Sequence, residues 1–114
     1  MEEMEYHIDN TLIPWAELGG GVRRKIVAHT PALMLVLVQF DCGAVGVVHQ
    51  HDVHTQISHV LAGSFEVEVG GTKKILRTGD SFIAPPRTPH GVLALEDKSA
   101  LADVFSPRRD DFLG

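Results

Sequence analysis

Phe65-Glu66-Val67-Glu68-Val69 alternates apolar and charged residues with a period of two, runs into Gly70-Gly71, and continues as Thr72 to Arg77. Side chains two apart share one face of a strand, and a two-glycine link suits the tight turn between antiparallel strands, so this stretch predicts a β-hairpin. Leu33 to Phe40 is a near-continuous apolar run without helical spacing, as expected of a strand buried on both faces. Further short strands are predicted at Val45 to His49, Gln56 to Leu61, Asp80 to Ala84, Gly91 to Leu95 and Ala100 to Phe105. Strands this short, so closely spaced by turns, predict an all-β barrel or double-sheet jelly roll. Residues 1–21 read as an N-terminal arm with a turn signal at Pro14, a Gly19-Gly20-Gly21 break, and at most one helical turn from Trp15 to Leu18. Residues 22–114 read as a single β-barrel domain.

A chain of 114 residues can bury about two-thirds of the surface its unfolded form exposes, so no disulfide staple is needed. Cys42 is the only cysteine, which excludes an internal disulfide and fits a reducing compartment; a lone cysteine between apolar strands is expected to be buried and inert. A formal charge of −5 argues against nucleic acid or an anionic membrane as partner, and the one basic run, Arg23-Arg24-Lys25, reads as a solvated strand edge. The acidic start, Met1 to Tyr6, lacks the features of a secretory signal, and no apolar run has the length of a membrane span, so the expected location is cytoplasmic.

Chemistry enters with two glycine-to-histidine phrases. The first runs Gly43, His49, His51, Gln56, Gly63, and the second runs from Gly79 through Pro85 to His90. Histidines two apart on a strand point the same way, so His49 and His51 can enter a barrel together, with Gln56 and His90 at the starts of later strands. Three neutral imidazoles and one amide oxygen can hold a divalent ion such as Ni, Zn, Mn or Fe. The alternative is a set of buried imidazoles with no metal. A glutamine ligand leaves the ion its full charge, which favours Lewis-acid work over reaching a ferric state and lowers the rank of dioxygenase chemistry.

A second cluster lies near the C-terminus. Asp103 and Phe105 alternate with Ala102 and Val104 and so share one strand face. If that face lines the barrel, a carboxylate and an aromatic ring look toward the metal, and Arg109 can reach back as counter-charge to Asp103. The alternative is a solvent-facing Asp103 with a structural salt bridge near the C-terminus.

Both glycine-to-histidine phrases resemble the two motifs of the cupin superfamily, with Gln56 where many cupins carry glutamate, Arg87 where a glycine is usual and Ala94 where an asparagine is usual. The stretch from Trp15 to Leu113, including Gly63-Ser64-Phe65-Glu66-Val67 and Phe105-Ser106-Pro107-Arg108-Arg109, is similar to the small KdgF-type cupins of pectin and alginate breakdown. That resemblance implies a single-domain cupin jelly roll (double-stranded β-helix) that linearises 4,5-unsaturated monouronates by ring opening and keto tautomerisation. It implies His49, His51, Gln56 and His90 as metal ligands, Asp103, Phe105 and Arg109 as functional residues, and a small acidic sugar as substrate. A homodimer is expected, since pairing protects sheet edges.

Arg87 and His54 are lesser candidates, for contact with an acidic substrate and for the rim of the site. His59, an odd number of residues from Gln56, is expected to point away from the metal. The competing functions are a cupin that binds a small acid without turnover, and a metal-dependent dioxygenase or isomerase acting on another small polar molecule.

Overall fold

The glycine-turned hairpin is one corner of two packed sheets in the computed structural model, which describes residues 5–114. The strands are β1 (Ala16–Gly19), β2 (Val22–Thr30), β3 (Leu33–Phe40), β4 (Val45–His49), β5 (Thr55–Ala62), β6 (Ser64–Val69), β7 (Thr72–Arg77), β8 (Ser81–Ala84), β9 (His90–Ala94) and β10 (Ser99–Ser106). All pairings are antiparallel: a six-stranded sheet in the order β1-β2-β3-β10-β5-β8 faces a four-stranded sheet in the order β4-β9-β6-β7. From β3 to β6 the chain changes sheet at every step, and it does so again from β7 to β10, which is the jelly-roll winding the sequence predicts. Gly70 and Gly71 both take positive φ, as a two-residue turn matched to strand twist requires. No helix among the described residues is long and apolar enough to cross a membrane.

Alternation decides which side chains form the core. Phe65 and Val67 of β6 meet Phe40 of β3, Val60 of β5, Ala94 of β9 and Leu101 of β10 in the larger cluster, where the Phe40 and Phe65 rings pack edge to face at 5.1 Å. Met34, Val36 and Phe105 form a second, smaller cluster. The β5–β10 register stacks three inward layers: Gln56 opposite Phe105, Ser58 opposite Asp103, and Val60 opposite Leu101. The lower layer is apolar core, and the upper two are polar or aromatic. The barrel is thus plugged at one end and chemically equipped at the other.

Four expectations need correction. Trp15 to Leu18 is no helical turn: Ala16–Gly19 pairs with β2 across the glycine break, with Glu17 opposite Arg23, and the helical turn lies upstream at Asn10–Leu12. This puts strand β1 inside the stretch read as an arm, of which residues 1–4 lie outside the described residues. The run Arg23-Arg24-Lys25 is not a solvated edge, because β1 covers that side of β2. Arg23 pairs with Glu17 and Asp41, Arg24 stacks on Phe112 at 3.9 Å, and Lys25, only 7 % exposed, lies over Trp15 at 4.4 Å and donates to the Asn10 and Ile13 carbonyls. Strand β3 is not buried on both faces within one chain: Met34, Val36 and Phe40 point inward, whereas Leu33 is 52 % exposed and Leu35 and Leu37 are half-buried. Cys42 is exposed in the turn after β3, its Sγ donating to the Leu95 carbonyl at 3.5 Å.

Gly63 carries the turn between β5 and β6 at φ +70, and a Cβ there would overlap Ser99. Gly63→Ala therefore combines backbone strain with a clash against a fully buried neighbour. The expected loss of stability is about 2 kcal/mol or more, read as a lower midpoint in urea unfolding.

Candidate metal centre

The β4–β9 pairing sets His49 opposite His90, and His51 follows just past the end of β4. The ring centroids lie 4.5 Å (His49 to His90), 4.8 Å (His49 to His51) and 5.2 Å (His51 to His90) apart, and the three histidines offer ligand atoms that all lie within 4.8 Å of one another. Hydrogen bonds fix which nitrogens face inward. Nδ1–H of His49 donates to the Val47 carbonyl at 2.7 Å and Nδ1–H of His90 to the Thr88 carbonyl at 2.9 Å, which leaves each Nε2 as a lone pair. Burial first, then the Arg109 charge, pushes the His51 imidazole down to about 4, and burial likewise lowers His90. Neutral rings are the form that ligates metal.

Gln56 completes the cluster from the start of β5. Its Oε1 lies 3.2 Å from His51 Nε2 and 3.1 Å from His90 Nε2, while its Nε2 donates to Ser58 Oγ at 2.9 Å. His90 Nε2 and Gln56 Oε1 therefore face each other as two acceptors. Lone pairs brought together so closely repel unless a cation shares them, and this donor set of imidazole nitrogens and an amide oxygen is one that divalent transition metals accept. The residues present fit a divalent metal site.

Asp103 sits one layer below. It is 8 % exposed, and Ser58 Oγ–H donates to its Oδ1 at 2.6 Å. Burial pushes its carboxyl up to about 6, against the opposing effects of the Ser58 hydrogen bond and the Arg109 charge. Of the two sequence alternatives for Asp103, the inward orientation is the one observed. The direct pairing with Arg109 is not: the Arg109 fork binds Asp111, with Nε and the terminal nitrogen at 2.9 Å and 2.7 Å, so a C-terminal salt bridge exists as well. Arg109 lies over the Phe112 ring at 4.2 Å and the Phe105 ring at 5.1 Å, and Phe105 meets His51 edge to face at 6.0 Å.

His54 lies at the rim, its ring 5.8 Å from His51, and its Nε2–H donates to the Arg108 carbonyl at 3.1 Å, tying down the tail that carries Arg109. Arg87 is exposed and takes φ +63, which accounts for the glycine usual there, while its backbone N–H donates to the His51 carbonyl at 2.6 Å. His59 faces outward to Ser81, as expected. Sequence reasoning missed Ser58, Asp111 and Phe112. Ser58 had a readable signal, being a polar residue two positions from Gln56 on the same strand face.

A cavity of about 90 Å³ is lined by residues including His49, Gln56, His90, Phe82, Leu101 and Asp103. It has room for about three waters, which suits an ion and its shell.

A jelly roll with a three-histidine cluster on its inner face defines a cupin, and the family model described as a cupin domain matches residues 36–105. Among curated proteins the chain is 52 % identical over 108 residues to the pectin degradation protein KdgF of Dickeya dadantii (strain 3937), covering 95 % of this chain and 97 % of that one. Among solved structures it resembles KdgF from Halomonas sp. with a TM-score of 0.93 at 51 % identity, covering 96 % of this chain and 99 % of that one. An RmlC-like cupin from Shewanella frigidimarina NCIMB 400 gives 0.89 at 39 % identity, with coverage of 98 % and 99 %. The chain belongs to the KdgF family of cupins.

Metal binding to the folded form alone stabilises it by mass action, so a divalent ion at a hundredfold excess over its dissociation constant should add about 3 kcal/mol, a rise of about 10 °C or more in melting temperature. Chelation should reverse that rise, and His90→Ala should abolish it, in thermal unfolding of the metal-free protein titrated with ion.

The Asp103 carboxyl supplies a pH dependence. Its folded value is raised, so between about pH 4 and 6 the folded chain keeps a proton that the unfolded chain releases, and stability falls as pH rises through that window. The lowered imidazoles act oppositely but are common to parent and variant. Metal-free Asp103→Asn should therefore gain on the parent by an amount on the order of 2 to 3 kcal/mol between pH 4 and pH 7, measured by urea unfolding.

Proposed function

We propose that this protein linearises 4,5-unsaturated monouronates of the kind released in pectin or alginate breakdown. In this reading His49, His51, Gln56 and His90 hold a Ni, Zn, Mn or Fe ion, and Asp103, Phe105 and Arg109 act on the sugar. The observation that carries it is the chain Gln56–Ser58–Asp103, which ties a buried carboxyl of raised pKa to the cluster of metal donors in a near relative of a pectin degradation protein.

Ring opening is an isomerisation in which one proton travels. It leaves the anomeric hydroxyl as the bond between C1 and the ring oxygen breaks, and a proton arrives at C4 as the resulting enol becomes the 5-keto group. The chemistry a divalent ion supplies when bound is positive charge for the oxygen that turns negative as the hemiacetal opens. Asp103 takes the hydroxyl proton and returns one to C4, a role that needs both protonation states near neutral pH. Arg109 binds the substrate carboxylate with the planar fork that Asp111 now fills, so the substrate displaces one carboxylate with another. Phe105 packs against the sugar and excludes water.

The reading includes a homodimer in the cytoplasm. The outward face of the six-stranded sheet exposes Leu33, Ile57, Leu61 and Ile83, an apolar surface suited to a second copy, and the exposed thiol of Cys42 suits a reducing compartment.

The test follows the ultraviolet absorbance of the conjugated alkene-carboxylate in unsaturated galacturonate and mannuronate monomers. The metal-loaded parent should hasten its loss, and Asp103→Ala, folded and equally loaded, should be about 100-fold slower or worse. Equal rates for the two proteins would remove Asp103 from the mechanism, and no acceleration by the parent would leave a cupin that binds without turnover.

A further inference from the structure

We propose that Ser58 is a positioning residue that makes position 56 an oxygen ligand, and that its single hydroxyl proton is the reason a glutamine stands there. This rests on the metal-binding reading given above. Ser58 is wholly buried and stands between two partners: Gln56 Nε2 at 2.9 Å and Asp103 Oδ1 at 2.6 Å. A hydroxyl has one proton to give and two lone pairs to offer, and the Ser58 proton lies in the 2.6 Å bond to Asp103 Oδ1. Ser58 therefore commits its proton to Asp103, and what it has left for Gln56 is a lone pair. The only group of Gln56 that can answer a lone pair is its NH₂. That turns the amide so that Oε1 points the other way, at 3.2 Å and 3.1 Å from the ring nitrogens of His51 and His90.

Removal of the Ser58 hydroxyl would take away the acceptor that holds the NH₂ end, and the lone pair of His90 Nε2 would then favour the flipped amide, whose NH₂ group faces the metal position. A glutamate at position 56 would fail for a related reason: it would present Ser58 with a second acceptor when the only proton is already taken, leaving two acceptors face to face in the core. The direction of the chain thus runs from Asp103 through Ser58 to the ligand atom of Gln56. Supporting groups that orient a ligand typically matter 10- to 100-fold in metal affinity.

The experiment titrates metal-free protein with Zn²⁺ against a chromophoric chelator and needs no substrate. Ser58→Ala should bind Zn²⁺ about 10- to 100-fold more weakly than the parent, and so should Ser58→Cys, which keeps the side-chain volume but is a poor acceptor and secures the test if the alanine variant does not fold. Gln56→Ala should also bind more weakly. In that background Ser58→Ala should change the affinity by less than about twofold, because there is no amide left to orient. Parent-like affinity in the Ser58 variants would overturn the proposal, as would losses that simply multiply in the double variant, which would mean that Ser58 acts apart from Gln56. Failure of the parent itself to take up Zn²⁺ or another divalent ion would overturn the metal reading as a whole.

Discussion

The register between β5 and β10 is the constraint on which the site depends. With Asp103 opposite Ser58 and Phe105 opposite Gln56, the polar groups that face the histidines from the six-stranded sheet come from this one ladder, and Phe82 of β8 adds an apolar wall beside His90. A strand repeats its facing every two residues, so a slip of β5 by one position against β10 would turn Gln56 and Ser58 outward and bring Ile57 and His59 in, while Asp103 and Phe105 stayed inward without their partners. Val60 and Leu101 in the layer below resist that slip by burying their side chains in the larger core cluster. Core packing and site geometry are thus one requirement rather than two.

The charges around the site are divided in a way that the fold enforces. Arg109 sits on the tail beyond β10 rather than on the ladder, and its fork is closed on Asp111 while its flat face rests on Phe112 and Phe105. Its positive charge still reaches inward, lowering His51 and opposing the rise in Asp103, but it makes no direct bond to either. Arg24 stacks on the same Phe112 ring, so the tail is held by two guanidinium groups and by the His54 contact to the Arg108 carbonyl. The rim is therefore fastened by groups that leave the inner donors free.

Much of this was legible because the relevant signals are local. The period-two alternation of Phe65–Val69 and the two glycines after it fix a hairpin without reference to anything distant, and the ranges read for β3, β4 and β7 match the structure at both ends. The spacing of His49 and His51 likewise needs only strand geometry. What was not legible depends on contacts between remote segments. An arginine-rich run looks solvated until β1 is seen to cover it, and β1 is short and low in β-branched residues, so propensity gives it away poorly. The apolar run of β3 cannot say by itself that only one face meets a core. The partner of Arg109 was expected to be Asp103, but the fork closes on the exposed Asp111, two residues away on the same tail, whereas Asp103 lies buried on β10. That Ser58 shares a strand face with Gln56 could be read from their spacing, but its partner Asp103 becomes known only through the ladder.

The same division explains how Asp103 is suited to the proton transfer we propose for it. A shuttle needs a value close to neutrality, and burial alone can raise a carboxyl by several units. Here the Ser58 hydrogen bond, the Arg109 charge and a weaker hydrogen bond from the Gln56 amide pull against burial, leaving the carboxyl at about 6. A direct ion pair with Arg109 would have pulled it lower and fixed the group as a base. A glutamate in place of Gln56 would have pushed it higher by like-charge repulsion and fixed it as an acid. Asp111, by occupying Arg109, and Gln56, by donating an amide N–H without carrying charge, keep Asp103 between those limits, so two residues outside the proposed proton path set the conditions under which a proton can move.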